Sequence, residues 1–387
     1  KMKFFPWFNN NIIVLLQKEN IYNKPMKVLF VFNHPAPYKV RLFNELAKDI
    51  DLDVIFERKS ASDRPKNFYN CNNFHFNVRF LKRGAFSKEN SNTGELKKYI
   101  AEHYKEYNLI IMNGYSTITE IRAILYMRKH KIPFALYVNG GVIRNDSFFK
   151  KKIKTTLIKA AFHYFSPCEE ANHYLVHYGA QPSKISNYNY STIYDKDVLQ
   201  KPLSNEEKNS LRFGLNLPKG KIFVSAGQFI PRKNNIQTIM QFVGRKDKLL
   251  LIGEGPEKSI YERLIKDNHL DNVIIKDFVV KDDLFKFMRA CDAFITLSKE
   301  DIFGHTTNEA MACGLPVISS DKVVASKNQI KNGYNGFIVS LDDEKRIQNI
   351  LNSVSYEMSE CAIKTAKKNT IEASAKAHIK MFKELVK

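Results

Sequence analysis

The stretch Glu300-Asp301-Ile302-Phe303-Gly304-His305-Thr306-Thr307-Asn308-Glu309-Ala310-Met311-Ala312-Cys313-Gly314-Leu315-Pro316-Val317-Ile318 reads as a loop, a short helix and the start of a strand. The apolar run Ala293-Phe294-Ile295-Thr296-Leu297-Ser298 before it has the character of a buried parallel strand. Asn308 to Cys313 is rich in good helix formers. Gly314-Leu315-Pro316 stops that helix, because proline cannot continue it and glycine suits its end. Two acids in the loop and a third, Glu309, early in the helix therefore stand at the carboxyl end of a parallel sheet, where α/β folds bind ligands. A carboxylate there suits sugar or ribose hydroxyls, since it accepts two of them in charge-assisted bonds.

The same residues resemble the donor-site signature of the retaining glycosyltransferases of family 4. Phe303-Gly304 and Glu309-Ala310-Met311-Ala312-Cys313-Gly314-Leu315-Pro316-Val317 match that pattern position by position. The signature's first acid lies eight residues before Glu309. That position holds Asp301, with Glu300 one residue earlier, so either acid can face the donor sugar. The resemblance implies an α/β protein of GT-B fold: two Rossmann-like domains whose parallel sheets face an interdomain cleft.

Alternation of strands and helices along the chain agrees with that class. Val28–Phe32, Leu52–Phe56, Leu109–Met112 and Phe134–Val138 read as strands, with helices at Arg41–Ile50 and after Asn113-Gly114 through Lys129. Near residue 200 the chain turns polar, and Lys221-Ile222-Phe223-Val224-Ser225-Ala226-Gly227 restarts the alternation. Leu249–Ile252, Val273–Ile275, Phe294–Leu297 and Val317–Ser319 continue it. The expected division is an extension at 1–25, an acceptor domain at 26–200, a nucleotide-sugar donor domain at 201–365, and a C-terminal helix at 366–387. In relatives that last helix crosses back to the first domain.

Breaking a sugar–phosphate bond leaves charge on the departing diphosphate. Cations and helix N-termini can hold it without a metal. Arg232 and Lys233, just after the restart strand, are the expected cations; without the neighbouring motif they would read as two exposed loop residues. The family usually has arginine where this chain has Gln228, beside Gly227. Gly253, in Leu251-Ile252-Gly253-Glu254-Gly255-Pro256, matches a strand-end loop near the nucleotide. The third glycine of a dinucleotide fingerprint is missing, which disfavours hydride chemistry. Val279 is expected at the base through its backbone. Gly304, His305, Thr306 and Thr307 offer N–H groups and hydroxyls as a diphosphate cradle. The resemblance places Glu309 on donor hydroxyls, and Asp301, Glu300, Arg232 and Lys233 at the reaction. Tyr38, Asn139, Gly140 and Gly141 are expected on the acceptor side. Asn139 cannot act as a base at neutral pH, so the donor phosphate would take the acceptor proton. His163 and His177 read as helix-face residues.

The chain has 387 residues, 44% of them hydrophobic, and a mean hydropathy of −0.36. No apolar run reaches the ~20 residues a membrane-spanning helix needs. Five scattered cysteines suggest free thiols in a reducing cytoplasm, with Cys313 a small buried residue. Residues 1–200 hold 31 Lys+Arg against 17 Asp+Glu, and the remainder 30 against 23, so the net +21 is concentrated in the first half. That favours anionic partners. Phe148-Phe149-Lys150-Lys151-Lys152-Ile153-Lys154 through Leu157 has the composition of a helix lying on an anionic membrane; the plainer reading is a solvated basic face.

These readings converge on a metal-independent retaining hexosyltransferase without a cofactor, a UDP-sugar being the favoured donor. It would be cytoplasmic, peripheral at the inner face of the plasma membrane, with a lipid-linked or glycan acceptor in bacterial envelope or capsular polysaccharide synthesis. Two alternatives come from other classes. A GT-B nucleotide-sugar epimerase should lack the Ala-Met-Ala-x-Gly-x-Pro-Val context. A nucleic-acid-binding protein would need aromatic platforms among its basic residues, and the sequence shows none.

Overall fold

The computed structural model describes residues 25–60, 73–81, 94–141, 143–301 and 304–386. The expected extension before Pro25, and Phe303 of the motif, lie outside the described residues. Thirteen strands are described: β1 (Lys27–Phe32), β2 (Asp51–Phe56), β3 (Asn77–Phe80), β4 (Leu109–Met112), β5 (Ala135–Tyr137), β6 (His163–Ser166), β7 (Ile185–Asn187), β8 (Ile222–Ala226), β9 (Lys248–Ile252), β10 (Val273–Lys276), β11 (Ala293–Thr296), β12 (Val317–Ser320) and β13 (Gly336–Val339). They form two sheets, ordered β3-β2-β1-β4-β5-β6-β7 and β10-β9-β8-β11-β12-β13. The described strand pairs are parallel, as the βαβ alternation requires.

Central strands are apolar because both of their faces are covered. Every residue of β4 and β11 is buried, as are Val28 to Phe32 of β1. The strands missed from sequence are β6 and three at sheet edges, β3, β7 and β13, of which β3 is largely exposed. His163 begins β6 and is buried, which corrects its reading as a helix-face residue. The first helix begins at Pro37 rather than Arg41. Proline at the first helical position has its φ already set and loses no hydrogen bond.

By contacts the chain divides into two compact units. One holds the described residues through Tyr137, Ile153–Tyr164 and those from His378 onward; the other holds Val138–Lys152 and Phe165–Ala377. The expected division has breaks after residues 25, 200 and 365, with the last helix returning to the first domain; the contact division interleaves segments, and the residues from His378 onward fall in the first unit. The helix Ile371–Leu385 contributes His378 to the first unit, where Tyr137 Oη and His378 Nε2 lie 3.2 Å apart.

The first unit buries two carboxylates beyond its strand ends. Glu57 follows β2, and Glu120 lies in the first turn of the helix Ile118–Lys129. Thr117 Oγ1 donates to Glu57 Oε2 at 2.9 Å, while Glu120 Oε2 accepts from the backbone N–H groups of Ser116 (2.6 Å) and Thr117 (3.1 Å). Burial, and then the neighbouring Glu57 charge, push the Glu120 carboxyl well above its ordinary value of 4.5. The folded state thus holds a proton that the unfolded chain releases. Its stabilisation is complete below the unfolded value and is lost as pH rises through the folded one. Glu120→Gln keeps an acceptor for the two N–H groups and a donor toward Glu57. Thermal melts across pH 4 to 8 are expected to show the variant gaining several degrees at the alkaline end and nothing at the acid end.

Candidate donor site

The site is assembled within the second unit, from the loops following β8 and β11. After β8, Pro231–Lys233 makes one turn of 3₁₀ helix, ended by Asn234 in the left-handed conformation at φ 53°. Asn234 Nδ2 donates to the Leu297 carbonyl at 2.9 Å, and Lys299 N donates to the Arg232 carbonyl at 2.8 Å. These bonds pin the turn onto the loop that leaves β11, which is adjacent to β8 in the sheet. Lys233 Nζ consequently meets Asp301 Oδ2 at 2.5 Å, with both side chains largely buried. The Arg232 guanidinium instead donates to the Glu300 carbonyl at 3.3 Å.

Two glycines let the loops close. Gly304, at φ 74°, immediately precedes the helix His305–Ala312. A Cβ there would fall 2.6 Å from Val323 Cγ1 and 3.7 Å from Asp301 Oδ2. Gly253, at φ 154°, lies so close to the loop after β8 that a Cβ would sit on the Gly227 carbonyl oxygen. Gly227 in turn faces Lys233, its Cβ position lying 3.5 Å from Cε. Gly227, Lys233, Asp301 and Gly304 are therefore brought together, with a helix N-terminus beside them.

Glu309 stands one turn beyond His305, on the same face of that helix. It is half-buried, and Thr192 Oγ1 donates to its Oε1 at 3.0 Å. The His305 ring packs edge-on against Tyr190, with centroids 4.7 Å apart. Thr306 is half-buried. Thr307 departs from the expected cradle: it is fully buried, its hydroxyl is shared with Ser326 at 3.0 Å, and its N–H donates to the Gly304 carbonyl. Gln228 and Arg232 are exposed, while Val279 packs its side chain on the core and Phe278 and Val280 point outward. Asn139, Gly140 and Gly141 belong to the second unit, where a Cβ on Gly141 would strike the Tyr174 ring at 2.5 Å; Tyr38 belongs to the first unit. Cys313 is buried as expected, and burial pushes its thiol up to about 12. Thr192 and Tyr190 were not found from sequence. They sit in a polar stretch without a motif, and their roles come from contacts more than a hundred residues away.

The two loop acids differ sharply. The Glu300 side chain is exposed, whereas the Asp301 carboxylate is held by Lys233 and its backbone bridges Val323. For the transferase activity that the sequence resemblance implies, Asp301→Asn is therefore expected to lower the rate far more than Glu300→Gln. Equal or reversed effects on turnover would mean that the loop presents Glu300 instead.

Residues 207–369 match the family model of Glycosyl transferases group 1. This stretch of the second unit thus resembles a group 1 glycosyl transferase domain. Its span covers the whole constellation from Gly227 to Glu309. The chain is also 24% identical over 314 residues to the O-antigen biosynthesis glycosyltransferase WclY of Escherichia coli, covering 76% of this chain and 80% of that protein. A second relative, from Campylobacter jejuni, is the N-acetylgalactosamine-N,N'-diacetylbacillosaminyl-diphospho-undecaprenol 4-alpha-N-acetylgalactosaminyltransferase. It is 26% identical over 166 residues, 42% of this chain and 44% of that one. Among solved structures, Anabaena HepE in complex with UDP superposes with a TM-score of 0.71 at 15% identity, covering 93% of this chain and all of that one. That likeness shows the GT-B fold, with its two Rossmann-like parallel-sheet domains.

Proposed function

We propose that this transferase is a metal-independent, retaining enzyme of family 4. It moves a hexose from a UDP-sugar to a lipid-linked or oligosaccharide acceptor in O-antigen or capsular polysaccharide synthesis. The observation that carries this reading is the largely buried Lys233–Asp301 pair at 2.5 Å, beside the N-terminus of the helix that bears Glu309. The kinship with WclY and the Campylobacter transferase supports the pathway and the lipid-linked acceptor.

In this reading Glu309 takes the ribose hydroxyls, and the loop 278–280 borders the base. The diphosphate lies by Gly227, Gly304 and the first turn of the helix. Lys233 and Arg232 neutralise the charge that grows as the bond from C1 to the phosphate oxygen breaks. Asp301 fixes Lys233 before substrate arrives, so little reorganisation is needed in the transition state. The acceptor oxygen forms the new bond on the face that the diphosphate leaves. Its proton passes to the departing phosphate oxygen, because the Asn139 carboxamide cannot accept it. The anomeric configuration of the first sugar released by slow donor hydrolysis, read by proton NMR, tests retention. An α-linked donor should give α-sugar at early times, at a rate unchanged by EDTA. Early β-sugar, or loss of the reaction with EDTA, would sink the mechanism.

A membrane-presented acceptor also fits the helix Phe148–Ile158. Phe148 and Phe149 are about three-quarters exposed, Ile153 is more than half exposed, and Lys150, Lys151 and Lys152 point to solvent. Leu157, expected on the same lipid-facing side, is buried in the core instead, so the apolar contact is confined to the helix's first two turns. Among the described residues no helix is long and apolar enough to cross a membrane. Co-sedimentation is expected with phosphatidylglycerol vesicles, less with phosphatidylcholine, with release by high salt. Replacing Lys150, Lys151, Lys152 and Lys154 with Gln should weaken vesicle binding and leave UDP affinity unchanged. A wild type that ignores anionic vesicles at low salt would leave the helix a solvated surface.

A further inference from the structure

The carboxylate of Glu309 is aimed by a separate piece of the chain. Thr192 lies 117 residues before it, yet its hydroxyl donates to Glu309 Oε1 at 3.0 Å. The backbone on both sides of Thr192 is clamped. Ser191 Oγ accepts from Asn308 Nδ2 at 3.2 Å, and Asn308, fully within the core, also donates to the Asn369 carbonyl at 2.7 Å. The Ile193 carbonyl accepts from Ile371 N at 2.8 Å. Thr192's own carbonyl accepts from Lys281 Nζ at 3.0 Å, and the same ammonium pairs with Asp197 Oδ2 at 2.8 Å. Asp197 is held in turn by Tyr194 N at 2.9 Å and, through its carbonyl, by Arg289. Lys281 opens the helix Lys281–Arg289, directly after the exposed Phe278 and Val280. One backbone segment is therefore bonded to the helix that bears Glu309 and to the helix that follows the loop at 278–280.

We infer that Thr192 is a positioning residue for nucleotide binding: it fixes the Glu309 carboxylate in the orientation that receives the ribose hydroxyls. Lys281 holds Thr192 in register with the loop that borders the base. The inference rests on the donor-site reading of Glu309. A threonine hydroxyl spends its one proton on a single acceptor; here its backbone is held on both flanks, so the carboxylate is oriented before any ligand arrives. Preorganisation of this kind lowers the ordering cost of binding.

The test is the affinity of the full chain for UDP by calorimetry, with Thr192→Val, Thr192→Ser and Glu309→Ala, and thermal melts alongside. Thr192→Val keeps the shape and removes the donor, and should weaken UDP binding about fivefold or more. Thr192→Ser restores the hydroxyl and should bind nearly as the wild type does. The penalty of Thr192→Val should vanish with 2′,3′-dideoxyuridine diphosphate, which lacks both ribose hydroxyls. A merely structural residue would penalise both nucleotides alike. If Glu309→Ala loses UDP affinity while Thr192→Val binds as wild type, or if Val and Ser lose affinity equally, the positioning role is overturned and the donor site stands. If Glu309→Ala binds UDP as wild type does, the donor-site reading itself fails, and the positioning role with it.

Discussion

Lys233→Ala is expected to lower the maximal transfer rate by about 100-fold or more, with a much smaller change in UDP affinity. The reason lies in timing. Before reaction Lys233 is already paired with Asp301 at 2.5 Å, so its charge is partly used in the ground state. In the proposed mechanism new negative charge appears on the diphosphate as the sugar–phosphate bond breaks, and an ammonium fixed beside it gains most at that moment. An interaction made chiefly in the transition state lowers the maximal rate, and with it the ratio of rate to Michaelis constant. The variant also leaves Asp301 without its cation in a largely buried place, which can cost stability. Lys233→Ala with Asp301→Asn separates the two effects: the double variant should recover thermal stability and remain slow. A Lys233→Ala protein with a normal maximal rate and only a raised Michaelis constant for the donor would show that Lys233 binds substrate without assisting the chemistry.

Glu309→Ala should weaken UDP binding tenfold or more while the protein stays folded. A charge-assisted hydrogen bond to a partly buried carboxylate contributes about 1.5–3 kcal/mol, which is about 10- to 150-fold in affinity. Truncation is tolerable for the fold, because Glu309 is half-buried and its helix is held by neighbours that do not depend on it: Ala310, Met311 and Ala312 lie fully within the hydrophobic core. Thr192 loses an acceptor but can turn toward the space that the side chain leaves. Calorimetry with UDP reads the effect directly, and unchanged affinity would remove Glu309 from the nucleotide.

The candidate site was legible because its signals are local. Between residues 293 and 318 one apolar run, one glycine, one helix-forming hexapeptide and one Gly-Leu-Pro stop define strand, loop, helix and strand. The structure begins the helix at His305, three residues earlier than its composition suggests. Gly304 supplies the left-handed turn that lets it start there. What was not legible depends on partners remote in sequence. The burial of Leu157 follows from which face of its helix the core covers, and the pattern of apolar and basic residues is the same for a core face and a lipid face. Thr307 reads as an exposed hydroxyl at a helix start, but Ser326 claims it. Thr192 and the Glu57–Glu120 pair carry no spacing signal, because strands and helices far apart in the chain bring them to their partners. Edge strands such as β3 escape for the opposite reason, being too exposed to leave an apolar run.

The most direct measurement is nucleotide release on incubating the purified protein with a panel of UDP-, GDP-, ADP- and dTDP-sugars without acceptor, with thermal stabilisation by each followed in parallel. One donor, a UDP-sugar, should both raise the melting temperature and release its nucleoside diphosphate slowly, and the release should fall in Lys233→Ala. A folded protein that is stabilised by none of the panel and releases nucleotide from none of them would contradict a nucleotide-sugar transferase site at Lys233, Asp301 and Glu309.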